Sequence, residues 1–308
     1  MESVPHSSVN KVISPDTTIG TGARITANWR GIALVMLSAF CFSSGIIFTR
    51  MTTGLSPLQI AFFRAFFAFL FFCCLLPKYP QALYLNTYRN SILRLIGLGM
   101  AVTATSALFV YAVQNTTAAN ASLLINSAPI YVALLAPLFL KERRSRIVWF
   151  GVSLAIGGTV MLSNPSQLGF DLRSWSGILA GILSGFTFAL VMLLSRSLKD
   201  RVNGHTQVLW SSAIASLVLL PWALQTDAPV VMSNLEFLVP LGVIALGAAY
   251  FFSFLGLKRV PAQVASVTAL SEPVSSIFIG LLLFHEPLGL LSVVGAVLVL
   301  ASIYLISR

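Results

Sequence analysis

The feature that most constrains the fold of this chain is a succession of apolar stretches, each about as long as a membrane-spanning helix. A helix needs about 20 predominantly apolar residues to cross a bilayer. In chain order, as segments 1 to 10, the stretches fall at 30–50, 57–77, 93–113, 118–140, 146–163, 174–195, 206–225, 235–257, 262–284 and 287–307. Most links between them are short and leave no room for an extramembrane domain. The sequence therefore predicts an all-α membrane protein with ten transmembrane helices.

Composition agrees with a membrane location for most of the chain. Hydrophobic residues make up 57% of it, charged residues 9%, and the mean hydropathy is +0.89, whereas a soluble domain is about 25% charged. Residues 1–28 differ, because they are rich in Ser, Thr and Gly, which predicts a disordered tail. This tail lacks the basic-then-apolar order of a cleaved signal peptide.

The distribution of Lys and Arg predicts the orientation, because loops rich in these residues stay on the cytoplasmic side. With the N-terminus inside, 16 of the 19 Lys and Arg residues fall inside, Arg50 and Arg173 fall outside, and Arg64 lies within segment 2. We therefore expect a multi-pass protein of the cell (inner or plasma) membrane with both termini in the cytoplasm. The same bias accounts for the net charge of +10, so no nucleic-acid partner is expected.

The chain also contains an internal repeat. The stretch "WRGIALVMLSAFCFSSGIIFTR" (29–50) matches "WSGILAGILSGFTFALVMLLSR" (175–196) at an offset of 146, with eight identities in 22 positions. Phe42 and Phe188 are one of these pairs. Farther on, "AANASLLINSAPIYVALLAPLFLKE" (118–142) matches "AQVASVTALSEPVSSIFIGLLLFHE" (262–286) at an offset of 144. Similarity at a fixed offset indicates a duplicated structural unit.

Each repeat contains five segments, at 29–163 and 174–307. Because five is odd, the second repeat enters the membrane from the side opposite to the first, so we expect two inverted-topology five-helix repeats. Secondary transporters are commonly built in this way, since two near-equivalent halves supply inward-open and outward-open states. A duplicated scaffold without a transport role is the alternative.

The repeats share a helix that starts with small residues, contains a proline and closes on a glutamate: "P" then "LFLKE" in the first, "EP" then "LLLFHE" in the second. In these features the chain resembles the paired EamA repeats of the drug/metabolite transporter superfamily, over about residues 30 to 307. The resemblance implies a ten-helix exporter or permease with both ends in the cytoplasm. It also implies a central cavity lined mainly by segments 1, 3, 4, 6, 8 and 9, and transport of amino acids or other small metabolites.

Glu272 is the clearest polar candidate inside the predicted membrane region. It lies about 15 Å along segment 9, near the middle of a hydrocarbon core about 30 Å thick, where a charge costs about 2.5 to 3.5 kcal/mol on insertion scales. One interpretation is a cavity-facing carboxylate, beside Ser271, that binds a cationic substrate group or carries a proton. The other is a structural side chain that bonds backbone groups freed by Pro273.

Other polar residues are secondary candidates for substrate binding. Asn126 precedes Pro129 by three residues in segment 4, and its alternative role is a hydrogen bond between helices. Pro129 and Pro273 are predicted helix bends. Aromatic and hydroxyl side chains that either line the cavity or pack between helices are Tyr111, Tyr131, Tyr250, Thr103, Thr105 and Ser106.

Three charged residues near helix ends or within helices have mainly structural interpretations. Arg64 could snorkel outward, cap a carbonyl group or meet a substrate carboxylate, and the first two are favoured because segment 2 is peripheral in the family. Glu142 and Glu286 close matched segments of the two repeats. We expect them to pair locally or to anchor the helix ends, with gating as the alternative.

Missing motifs narrow the mechanism. The sequence contains no GxxxxGK[ST] phosphate loop, HExxH or CxxC metal spacing, or GxSxG nucleophile turn, so we expect no catalysis, cofactor or metal. The leading hypothesis is a secondary transporter that exports amino acids or related small metabolites by alternating access, with the bilayer and a small-molecule substrate as partners. Uptake of a nucleoside- or vitamin-like solute and a non-transport role in membrane assembly are the alternatives. Monomer and homodimer are both left open.

Overall fold

The computed structural model describes residues 28–83, 89–142, 146–162, 175–276 and 289–307. Most of the predicted tail, as well as Glu286, lies outside these residues. The described residues form helices joined by short turns and contain no strand. The all-α prediction is therefore confirmed for this part of the chain.

The helices are α1 Trp29–Met51, α2 Pro57–Cys74, α3 Ile92–Asn115, α4 Ala118–Ile125, α5 Ala128–Phe139, α6 Arg146–Leu162, α7 Trp175–Ser197, α8 Gly204–Ala223, α9 Ala228–Ser233, α10 Leu235–Gly242, α11 Ala249–Leu257, α12 Ala262–Ala269, α13 (described over 271–276) and α14 Leu290–Ser307. Short 3₁₀ turns at Leu76–Lys78 and Pro80–Leu83 follow α2, and a π-helical turn at Val243–Ala248 joins α10 to α11.

Eight helices of the described chain, with α4–α5 and α10–α11 each taken as one, are long and apolar enough to cross a membrane. They correspond to eight of the predicted segments. Helix α6, at segment 5, is apolar but has only 17 residues, and segment 9 is described only as far as residue 276. The length and polarity of these helices define a multi-pass membrane protein.

Two of the predicted continuous helices are interrupted. Segment 4 breaks at Asn126 and Ser127, between α4 and α5, and segment 9 breaks at Leu270, between α12 and α13. Pro129 and Pro273 lie in the first turn of the helix that follows each break. Proline is tolerated in a first turn, because the N–H group that it lacks would have no partner inside the helix.

Charged side chains gather at one end of the helix bundle, which we call the basic end. Arg94 and Arg196 line one cleft there, and Arg259 lies against the first turn of α1. At the opposite end, Thr53 and Asn234 exchange two backbone-to-amide hydrogen bonds of 2.9 Å. Most Lys and Arg residues of the described chain lie at the basic end, whereas Arg50 lies near the opposite one.

Helices α6 and α14 cross closely and run antiparallel. Gly151, early in α6, faces Ile306 near the end of α14, whereas Gly158 faces Gly295 near its start. A Cβ atom added to Gly158 would lie 2.7 Å from the carbonyl oxygen of Gly295, and one added to Gly295 would lie 2.6 Å from that of Gly158. The backbones approach so closely that only glycine fits at either position, as is common where membrane helices pack.

The same antiparallel arrangement occurs between α2 and α8. The side-chain amide of Gln59 donates to the carbonyl of Trp222 (3.4 Å), and the rings of Phe72 and His205 lie 5.1 Å apart at the other end of the pair. Helix α1 packs against α10, the π-helical turn, α11 and α12, while α7 packs against α3, α4 and α5. Helices α1 and α7 thus contribute to the packing on both sides of the bundle centre.

Gly158→Ala is expected to destabilise the protein by about 1 to 3 kcal/mol, because the new methyl group meets a backbone oxygen that cannot rotate away. Gly157→Ala is the matched control, since no atom lies within 4 Å of its added Cβ and both changes gain the same helix propensity. Thermal unfolding in detergent measures the difference. Equal midpoints for the two variants would show that the α6–α14 contact is looser than described.

Candidate functional site

A small cavity lies at the centre of the bundle, between α1, α2, α3, α4, α7, α11 and α13. Its lining residues are Phe42, Arg64, Thr105, Ser106, Phe109, Ile125, Phe188, Tyr250 and Glu272. The cavity volume is about 20 Å³, which is room for about one water molecule. It contains two side chains of opposite charge, Arg64 and Glu272, which are 5% and 8% exposed.

Arg64 reaches this cavity from α2. Its Nη2 atom donates a hydrogen bond of 2.9 Å to the carbonyl of Ala245, in the π-helical turn, and its Nε atom has no hydrogen-bond partner. The expectation that Arg64 snorkels outward is wrong, because the side chain is buried in the bundle interior. Capping of a carbonyl group, the second expectation, is confirmed, and the remaining donors leave the guanidinium able to bind an anion.

Glu272 reaches the cavity from α13. No nitrogen atom of Arg64 lies within 4.0 Å of its carboxylate, and within the described chain the carboxylate accepts no hydrogen bond. The structural interpretation required bonds to backbone groups near Pro273, and the described residues provide none. A buried carboxylate in this setting has free capacity to bind a cationic or proton-donating group.

Aromatic side chains form most of the remaining wall. The rings of Phe42 and Phe188 meet edge to face at 5.8 Å, and the rings of Phe42 and Tyr250 at 5.1 Å. Thr105 adds a polar edge, where its hydroxyl group lies 2.9 Å from that of Thr187. The cavity is therefore apolar except for the two charges, the Tyr250 hydroxyl group and the α3 hydroxyl groups.

Several of the other predicted site residues do not line this cavity. Asn126 donates to the carbonyl of Ser122 (2.8 Å) at the end of its own helix, and Tyr111 is 37% exposed. Ser271 is buried next to Glu272, and its hydroxyl group has no hydrogen-bond partner. The predicted candidates that line the cavity are Glu272, Tyr250, Thr105 and Ser106. Arg64, for which structural roles were favoured, lines it as well.

A second polar contact crosses the basic end. Glu142, which follows α5, lies 3.5 Å from Nε of Arg196 and accepts a hydrogen bond of 3.0 Å from the backbone N–H of Ala262 at the start of α12. Arg196 donates to the carbonyl of Leu257 at 2.6 Å. We call this set of four residues the basic-end bridge. Glu142 therefore pairs across the two repeats and not locally. Its bond to Ala262 holds the start of α12 rather than the end of its own helix.

A larger cleft of about 550 Å³ opens beside the basic-end bridge. Its charged lining residues are Arg94, Lys141, Glu142, Arg196, Lys199, Asp200 and Arg201. Apolar side chains of α5 and α7 form its other wall. No group of three or more His, Cys, Asp or Glu side chains with metal-binding proximity occurs in the described part of the chain.

A bundle of membrane-spanning helices around a small cavity that contains two buried, oppositely charged side chains is the architecture of a multi-pass membrane protein. Comparison with known protein families identifies the class of membrane protein more closely. The sequence profile of the EamA-like transporter family matches residues 29–164 and 175–308. The chain belongs to the EamA-like transporter family and is a multi-pass membrane transporter, which confirms the resemblance noted in the sequence.

Curated relatives match over nearly their whole length. An uncharacterized transporter of Archaeoglobus fulgidus is 28% identical over 90% of this chain and 96% of its own length. The pseudopaline exporter CntI of Pseudomonas aeruginosa is 25% identical over the same shares of the two chains. A solved crystal structure, 17% identical, matches 91% of this chain with a TM-score of 0.75, which shows a shared fold.

Proposed function

We propose that this protein is a secondary transporter that exports amino acids or related small metabolites by alternating access. The observation that carries this proposal is the central cavity with two buried, oppositely charged side chains that are not paired with each other. Intramembrane charges of this kind mark solute and proton pathways. Export rather than uptake is favoured by the Pseudomonas relative, which is named an exporter. Uptake of a nucleoside- or vitamin-like solute is the second candidate.

Alternating access requires two halves related by inversion, and equivalent contacts support that relation. A Cβ atom added to Gly31 would lie 2.8 Å from Arg259, and one added to Gly177 would lie 2.8 Å from Asn115. Gly31 corresponds to Gly177 at the offset of 146, and Asn115 corresponds to Arg259 at the offset of 144. The same contact therefore occurs twice, with the roles of the repeats exchanged.

The direction of the helices supports an axis in the membrane plane. Helix α6 corresponds to α14 and α2 corresponds to α8 in the two repeats, and each pair packs antiparallel. A two-fold axis that exchanges antiparallel helices is perpendicular to them, as in inverted-topology transporters. Phe42 and Phe188, which are equivalent positions, touch each other at the cavity, so the axis passes through the proposed solute site. The proposed topology has ten crossings with the basic end in the cytoplasm, because loops rich in Lys and Arg stay on that side.

The charged side chains of the cavity do not follow the two-fold relation between the repeats. Glu272 corresponds to Ala128 in the first repeat, so this carboxylate occurs on one side of the axis only. A site with different chemistry on its two sides binds an asymmetric solute in one orientation. An assembly protein without transport activity would have no use for such a site, which is why transport is favoured.

Counterflow in proteoliposomes is the direct test of the proposal. Vesicles that contain the purified protein and an excess of an unlabelled solute are expected to accumulate the same labelled solute transiently, and at least one amino acid of a broad panel should give this signal. Nucleosides and vitamins are the comparison panel for the second candidate. A folded protein that exchanges no compound of either panel would argue against transport.

A further inference from the structure

We propose that Arg64 and Glu272 are the two halves of a zwitterion site, in which Arg64 binds the carboxylate of the solute and Glu272 binds its ammonium group. This inference rests on the proposed function, because it names the substrate class of the same cavity. It concerns two residues of different repeats, since α2 belongs to the first repeat and α13 to the second.

Arg64 and Glu272 are buried in one cavity without a direct ion pair between them. Charged residues are almost never fully buried unless they have a partner, and opposite charges attract strongly away from water. Arg64 and Glu272 line one cavity, are 5% and 8% exposed, and form no ion pair within 4.0 Å. A solute that bears both charges would satisfy both once the cavity has widened to admit it.

Arg64 has the geometry and the free donors to bind a carboxylate. Guanidinium has five N–H donors in a fixed fork, which suits a carboxylate. One hydrogen bond, from Nη2 to the carbonyl of Ala245, fixes the orientation of the group, while Nε has no partner. The guanidinium is thus held in place before the solute arrives, which reduces the entropy lost on binding.

Glu272 has free acceptors for an ammonium group. An ionised carboxylate only accepts hydrogen bonds, and an ammonium group only donates them. The Glu272 carboxylate accepts none from the described residues, so an ammonium group would meet free acceptors. A solute with only a carboxylate would leave Glu272 without a partner, and one with only an ammonium group would leave Arg64 without one. Either loss is expected to weaken binding by about 10- to 100-fold.

The rest of the solute faces aromatic rings. Phe42, Phe109, Phe188 and Tyr250 line the cavity around the two charges. These walls favour an apolar side chain on the solute. The present volume of about 20 Å³ is too small for an amino acid, so the cavity must widen when the solute binds. The edge-to-face contact between Phe42 and Phe188 is the place where the two repeats would separate.

The test compares three charge forms of the same side chain. Leucine carries both charges, N-acetylleucine carries only the negative charge, and leucinamide carries only the positive charge. The same three forms of phenylalanine and methionine complete the panel. Ligand-induced thermal shifts of the purified protein in detergent measure binding without transport. Wild type is expected to bind at least one amino acid at least about tenfold more tightly than its two derivatives.

Charge removal should then change the preference in opposite directions. Arg64→Gln is expected to favour the amides over the free amino acids, and Glu272→Gln is expected to favour the N-acetyl derivatives. Asp200→Asn is the control, because Asp200 is exposed at the basic end, and it should keep the wild-type order.

Several results would overturn the zwitterion site. In the first, wild type binds a derivative as tightly as its parent amino acid. In the second, wild type binds no compound of the panel. In the third, the double variant Arg64→Gln/Glu272→Gln binds amino acids as tightly as wild type. The wild-type comparison stands even where a variant fails to fold. Amino-acid binding with the expected order but no counterflow would refute the proposed function and leave the site intact, whereas counterflow without charge preference would refute the site alone.

Discussion

Glu272→Gln is expected to insert and fold like wild type but to exchange the transported solute at least about tenfold more slowly, because a charge-assisted hydrogen bond contributes about 1.5 to 3 kcal/mol and each 1.4 kcal/mol is tenfold. Gln has nearly the shape of Glu, and the described chain gives the carboxylate no hydrogen bond to lose. The change therefore removes the charge and little else. Counterflow in proteoliposomes measures the rate, and thermal unfolding in detergent measures stability.

The pH dependence of exchange separates the charge from the shape of Glu272. Acidification that protonates Glu272 removes its negative charge, so wild-type exchange should fall as pH decreases, while the Gln variant should show no such fall. Arg64 and Tyr250 are the other titratable groups that face this carboxylate in the cavity, and neither gains or loses a proton on mild acidification. Wild-type rates in a stable Gln variant would assign Glu272 a structural role.

The sequence predicted the fold class more completely than it predicted the helix geometry. Apolar stretches define membrane helices because the bilayer leaves few other structures possible, and eight helices of the described chain match them. A bend was predicted at Pro129, but the break at Asn126 and Ser127 was not. Apolar residues are found both in a continuous membrane helix and in an interrupted one, and Pro129 lies two residues after the break.

The candidate site was predicted only in part, for a related reason. Glu272 and Tyr250 line the cavity, whereas Tyr111 and Asn126 lie elsewhere, and solute binding by the first two stays a prediction. A helix that is apolar on all sides carries no periodic signal of the face that points inward. For Arg64, structural roles were favoured over contact with a substrate carboxylate, because the family resemblance placed segment 2 at the periphery. The cost of an intramembrane charge was the better guide, since it applies equally to Arg64 and Glu272.

Removal of the basic-end bridge is expected to open the cavity toward that end. In a chain whose native cysteines are replaced by serine, Ser106→Cys puts a reporter thiol on the cavity wall, where the wild-type side chain is buried. Glu142→Ala removes both the ion pair with Arg196 and the bond to Ala262. The closed state loses about 1.5 to 3 kcal/mol, so a membrane-impermeant maleimide should label the thiol about tenfold faster in inside-out vesicles.

The double variant Glu142→Ala/Arg196→Ala should label little faster than the faster single variant, because both changes remove one shared contact and their effects are not additive. Asp200→Asn is the matched control at the same end. It breaks the pair between Lys199 and Asp200, which is 3.7 Å long and largely exposed, and exposed pairs contribute little. Equal acceleration by Asp200→Asn, or acceleration in right-side-out vesicles only, would show that the bridge does not close the cytoplasmic side.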